Sequence, residues 1–173
     1  MRALSDESRI REFLRELGRQ VTVSTRLYLT GGSTAVLEGW RATTIDIDVA
    51  FEPDSDEMFR AIASLKDRLN VNVELAAPSH FIPELPGWRD RSPFIVQEGK
   101  LVVHHYDPYS QALAKIERGH AKDREDVAAM LSRGLVERAR LMELFADIEP
   151  AIYRYPALSA PRFRAAVEAV TRG

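Results

Sequence analysis

Three carboxylates and one glycine turn are the residues best suited to chemistry. Asp46 and Asp48 stand one residue apart inside an apolar run, "TTIDIDVAF", and Glu74 follows in "LNVNVELA". Side chains alternate across a strand, so Asp46, Asp48 and Ala50 share one face, while Ile45, Ile47, Val49 and Phe51 share the other, which must be the buried one. In the later segment Val71, Val73 and Leu75 alternate with Asn72 and Glu74, so a third acid projects from a polar strand face. Taken alone, an Asp-x-Asp on a strand reads as a solvated face, because surface acids are common. Three acids on neighbouring strands read differently, since like charges this close need a cation or basic partners to offset their repulsion. Oxygen ligands on rigid strands suit Mg²⁺, which takes one or two carboxylates and fills its shell with water and substrate phosphates. That is the arrangement metal-assisted phosphoryl or nucleotidyl transfer needs, with a third acid that also helps deprotonate the attacking hydroxyl.

The glycine turn supplies the complementary half. Gly31-Gly32-Ser33 lies ahead of the acids, with twelve residues between Ser33 and Asp46. A tight Gly-Gly turn exposes backbone N–H groups, and the serine hydroxyl adds another donor, which together make an anion cradle. A bare strand-to-helix connection with Ser33 or Thr34 as cap fits the same residues. The interval favours the cradle, for twelve residues carry the chain through one short helix and back into the sheet.

The elements that must position these groups can be read from periodicity. Asp6 or Ser8 caps a first helix with Ile10, Phe13, Leu14 and Leu17 at helical spacing and Gly18 as its stop. Leu27 to Thr30 is a strand, Thr34 to about Gly39 a short helix, and "TTIDIDVAF" a second strand. An amphipathic helix follows, capped by Ser55 or Asp56 with Met58, Ile62 and Leu65 inward, and then the strand that carries Glu74. A Pro-rich loop leads to a hairpin turning near Glu98-Gly99, and beyond Asp107-Pro108 the pattern is helical, with stops at Gly119 and Gly134. The fold class is therefore α+β: a mixed β-sheet flanked by helices, with a helical C-terminal part. The expectation is one domain over residues 1–173, its core at about 26–107 and its helical part at about 108–173.

Composition limits the alternatives. The chain has 173 residues, 45% apolar and 29% charged, the balance of a globular domain that buries roughly two-thirds of its unfolded surface. A net charge of -2 argues against a surface that coats nucleic acid generally. There is no cysteine, so any metal must sit on carboxylates or histidines. No apolar run approaches the ~20 residues of a membrane span, and the first residues lack the apolar core of a signal peptide. The expected location is the cytoplasm, with no membrane partner.

Gly32-Ser33, twelve residues, then Asp46-Ile47-Asp48 with a later acid resembles the nucleotidyltransferase superfamily typified by DNA polymerase beta, kanamycin nucleotidyltransferase and the CCA-adding enzymes. The resemblance implies Mg²⁺-dependent transfer of a nucleoside monophosphate from an NTP such as ATP, with Asp46, Asp48 and Glu74 as catalytic metal ligands and Gly31, Gly32 and Ser33 at the triphosphate. The third acid of the family is commonly Asp, so Glu74 is a departure. Downstream, "LAKIERGHAKDREDVAAML" is similar to the "K-x-x-R" and "K/R-D-x-x-D" of small bacterial nucleotidyltransferase-like toxins of abortive-infection and toxin-antitoxin systems. By that resemblance Lys115 reaches the triphosphate, Arg118 shares its helix face, and Asp123 and Asp126 position the helix and its basic side chains. Read without the resemblance, Lys115 is a solvated lysine, and the two acids stabilise a helix N-terminus through its dipole. The acceptor implied is an RNA end such as tRNA, and a cognate antitoxin is an expected partner. The alternatives are an inactive nucleotide- or partner-binding module of the same fold, and a small-molecule nucleotidyltransferase.

His104 and His105 are adjacent on a strand and so face opposite ways, which gives them structural or surface roles. Trp40 reads as a core plug. Trp88, in the Pro-rich loop with Arg89 and Arg91, reads as the wall of an acceptor groove.

Overall fold

A computed structural model describes residues 2–173. The chain divides into two compact units, one formed by the residues up to Ala77 with Pro93–His105, the other by Pro78–Ser92 with Tyr106–Gly173. Among the described residues, no helix is long and apolar enough to cross a membrane.

The first unit is built on one sheet. In chain order it contains α1 (Glu7–Gln20), β1 (Thr25–Thr30), α2 (Gly32–Glu38), β2 (Asp46–Glu52), α3 (Asp56–Arg68), β3 (Asn72–Leu75), β4 (Phe94–Glu98) and β5 (Leu101–His105). The strand order is β3-β2-β1-β5-β4. β1 runs antiparallel to β2 and parallel to β5, β2 runs parallel to β3, and β4 and β5 form the antiparallel hairpin. The sheet is thus mixed, as the α+β reading of the sequence expects.

One face of this sheet is the core. Leu27, Leu29, Ile47, Val49, Val73, Leu101 and Val103 are buried in one cluster with Ile10, Phe13, Leu14 and Leu17 of α1 and Met58, Ile62 and Leu65 of α3. Asp6 caps α1 by accepting from Arg9 N at 2.9 Å, and Ser55 caps α3 by accepting from Met58 N at 3.1 Å. Each such cap stabilises its helix by about 1 kcal/mol. Gly18 does not stop α1, which runs on to Gln20. Its value is the missing side chain: a Cβ there meets Glu98 Cβ and O at 2.5 Å, so the helix lies directly on the hairpin. β2 begins at Asp46, later than the "TTIDIDVAF" pattern predicts, because Thr44 is bridged to Ser5 through Ser5 N to Thr44 O (2.8 Å) and Thr44 N to Ser5 O (2.9 Å). Ile45, expected inside, is 63% exposed as a result.

The second unit is helical: α4 (Pro108–Arg118), α5 (Ala121–Ser132), α6 (Arg138–Ile148) and α7 (Ala160–Arg172), with short 3-10 turns at Pro78–His80 and Glu149–Arg154. Its packed interior includes Leu113, Met130, Leu141, Leu144, Phe145, Ile152, Phe163 and Val167, with Phe145 edge-on to Phe163. Asp107 organises its entry. The carboxylate is fully buried and accepts from Tyr109 N, Ser110 N, Ser110 Oγ and Arg91 Nη2, so it caps α4 and anchors the Pro-rich loop at once. Trp88 is the second anchor. It is buried and stacked on Tyr106 with ring centroids 4.3 Å apart, so it belongs to the interior of this unit and does not wall an open groove. Burial likewise pushes the Tyr106 hydroxyl well above the usual phenol range. Trp40 is half-buried, short of the core position its size suggests.

Candidate active site

The polar face of the sheet gathers the three acids. Parallel pairing sets Asp46 opposite Asn72 and Asp48 opposite Glu74, so the alternation of β2 and that of β3 fall in phase. One carboxylate oxygen from each of Asp46, Asp48 and Glu74 lies within 4.8 Å of the others. Asp46 and Asp48 are half-buried and Glu74 is exposed. Asn72 completes the row: its Nδ2 donates to Asp46 Oδ1 and lies 3.4 Å from Glu74 Oε1. The sequence places Asn72 on the same alternation as Glu74, but only the register shows that it faces Asp46.

The glycine turn arrives beside these acids by the same pairing logic. Thr30, the last residue of β1, is paired with Asp48, so the next residue, Gly31, is delivered to the Asp48 carboxylate. Gly31 has φ 61° and ψ -132°, a combination open essentially to glycine, and a Cβ on it would stand 2.6 Å from Asp48 Oδ2. Gly32 is equally tight, since a Cβ there collides with the Thr44 hydroxyl. Beside it lies a cation, for Arg41 Nη1 is 3.5 Å from the position that Cβ would take. Ser33 is fully buried, and its Oγ has no hydrogen-bond partner. A buried hydroxyl without a partner is costly, by about 1–3 kcal/mol, unless a ligand or water meets it.

A buried histidine braces α2 from behind. His105 Nε2 is 3.2 Å from Glu38 Oε1, and its Nδ1 is 3.0 Å from Thr34 Oγ1. Burial lowers its pKa to about 4, and the charge of Arg11 adds to that. The ring is therefore neutral near pH 7, and its contact with Glu38 is a hydrogen bond donated by Nε2–H, not an ion pair. Nδ1 is then an acceptor beside the Thr34 hydroxyl, whose oxygen also lies 3.3 Å from Leu29 O.

The remaining predicted residues lie in the helical unit. Lys115 Nζ is 2.7 Å from Asp126 Oδ2, and both side chains are buried. Arg118 makes a two-point contact with Asp123, Nε to Oδ2 at 2.8 Å and Nη2 to Oδ1 at 2.6 Å. Asp123 also accepts from His120 N at 3.1 Å, which closes the first turn of α5. Burial pushes the Asp123 carboxyl up, but the Arg118 hydrogen bonds and charge outweigh it and hold the pKa below the ordinary value. Asp123 thus pairs with a basic side chain and caps a helix at the same time. The second of the two sequence readings does not extend to Asp126, which lies beyond the first turn of α5 and is paired with Lys115.

The donor set at the acids is all oxygen, which matches a hard divalent cation. Partial exposure leaves room for water and phosphate oxygens, and the partnerless Ser33 hydroxyl beside the glycine turn fits an anionic group there. A mixed sheet with a glycine turn set against three converging acids is the architecture of a nucleotidyltransferase. Residues 8–169 match a family described as "Nucleotidyltransferase of unknown function (DUF6036)", and the chain belongs to that family. No curated protein and no solved structure matches the chain.

Proposed function

We propose that the protein transfers a nucleoside monophosphate from an NTP to an acceptor hydroxyl, with Mg²⁺ held by Asp46, Asp48 and Glu74. The observation that carries this reading is the convergence of the three carboxylates beside Gly31, next to a buried serine hydroxyl that lacks a partner. The backbone N–H groups of the Gly31-Gly32 turn and the Ser33 hydroxyl hold the terminal phosphates, and Arg41 adds positive charge beside them. When bound, Mg²⁺ supplies compensation for the charge of the reacting phosphates. The acceptor oxygen bonds to the α-phosphorus as the bond from that phosphorus to the β-bridging oxygen breaks, and pyrophosphate leaves. The hydroxyl proton passes to Glu74, the most exposed of the three acids, and from it to water.

The acceptor in this reading is an RNA end, tRNA in the first instance, and the setting is a cytoplasmic toxin-antitoxin or defence system. The support is the likeness of "LAKIERGHAKDREDVAAML" to the small nucleotidyltransferase-like toxins. Lys115 and Arg118 take the phosphate-binding role that this likeness implies, each held by its own carboxylate.

The test is incubation with labelled NTPs, Mg²⁺ and total RNA or protein, beside the variant Asp46→Asn/Asp48→Asn. The expected result is labelling of RNA by the wild type alone; equal labelling by both would sink the reading. Expression of the wild type, but not of the double variant, is expected to slow growth.

A further inference from the structure

We propose that Asn72 is a positioning residue that holds Asp46 and Glu74 in place for a divalent cation without competing for it. The inference rests on the reading of the three acids as a metal site. Its starting point is a contrast between the charge of the site and the character of one side chain that bonds to two of its acids. Three carboxylates present oxygens within 4.8 Å of one another, and the side chain set among them is a neutral amide.

The pairing of β2 with β3 explains why the amide can reach both acids. Asn72 is opposite Asp46 across the ladder, and Glu74 is its next neighbour on the same face of its own strand. Ionised carboxylates only accept, so the NH₂ end of the amide must face them, and it has two hydrogens to give. One goes to Asp46 Oδ1, while Glu74 Oε1 lies within reach of the other at 3.4 Å. A short amide on a rigid strand therefore limits the swing of two side chains that mutual repulsion would drive apart.

The neutrality of this donor matters as much as its position. A lysine or arginine at this site would donate equally well, but its charge would cancel the field that attracts the cation. An aliphatic residue would leave the field intact and the acids free to turn. Asparagine gives restraint without charge, the usual duty of a group that orients metal ligands from behind.

The test is a Mn²⁺ titration of the full chain without nucleotide, with free Mn²⁺ read by electron paramagnetic resonance. Wild type, Asn72→Ala, Asn72→Ser and Asp46→Asn are compared, and melting curves in EDTA establish that each is folded. The expected result is binding by the wild type, no measurable binding by Asp46→Asn, and binding about 10- to 100-fold weaker for Asn72→Ala. The serine variant serves the same comparison should the alanine variant fold poorly. In the transfer assay, the Mn²⁺ concentration for half-maximal rate should rise in the Asn72 variants by a similar factor. Unchanged Mn²⁺ affinity in the Asn72 variants, with Asp46→Asn still deficient, overturns the role of Asn72 and leaves the metal reading standing. Failure of the wild type to bind Mn²⁺ overturns both.

Discussion

Gly31 is packed against the carboxylate of Asp48 so closely that a methyl group on it would stand 2.6 Å from Oδ2. The turn and the strand that carries Asp46 and Asp48 are therefore one object, joined by the last pair of the β1–β2 ladder, Thr30 with Asp48.

Gly31→Ala tests that union. The substitution adds backbone strain of about 1–3 kcal/mol at φ 61° and displaces Asp48 as well. Transfer activity is expected to fall at least about 100-fold, far more than a modest loss of stability explains, since small displacements of a reacting group cost that much. Activity and melting temperature measured side by side separate the two effects.

Arg41→Ala addresses the cation beside Gly32. If its guanidinium meets the triphosphate, KM for the NTP rises by about tenfold or more, in keeping with loss of a charge-assisted contact of about 1.5–3 kcal/mol. Unchanged KM and kcat would remove Arg41 from the site.

His105 gives a pH dependence of known sign. Its pKa in the folded chain is about 4, against 6.5 for an ordinary histidine, so between these values the unfolded chain holds the proton more readily. The contribution is fully present above pH 6.5 and is lost as pH falls toward 4, an amount of the order of 3 kcal/mol. Urea unfolding at a series of pH values should show this loss in the wild type, and His105→Gln should flatten it.

In the helical unit, Lys115→Ala removes the ammonium that faces the buried Asp126 carboxylate. A loss of about 3–5 kcal/mol is expected, and Lys115→Met combined with Asp126→Leu should recover much of it, because a buried pair costs less when both charges go together. Chemical denaturation of the single and double variants makes the comparison.

Much of this site was legible because its residues obey local rules. The period-two alternation that sets Asp46 and Asp48 opposite Ile47 and Val49 is a property of one strand, and so is the pairing of Glu74 with its own apolar neighbours. The helices followed in the same way from Asp6, Ser55 and the spacing of their apolar residues. What the sequence hid depends on contacts between distant segments. Asn72 acquires a partner only through the β2–β3 register, and Gly18 acquires its meaning only from Glu98, which lies far along the chain. Trp88 looked like a surface residue because its loop is rich in proline and arginine, yet it stacks on Tyr106.

The strand order also governs how the site comes into being. β1 lies in the middle of the sheet, and its second neighbour, β5, is among the last strands in the chain. As the polypeptide leaves the ribosome, all three acids have been made by Glu74, but the middle strand keeps an open edge until His105 has followed. An open edge of that kind is where a chain pairs wrongly with others. The hairpin of β4 and β5 closes that edge, and Gly18 lets the first helix lie directly on the hairpin.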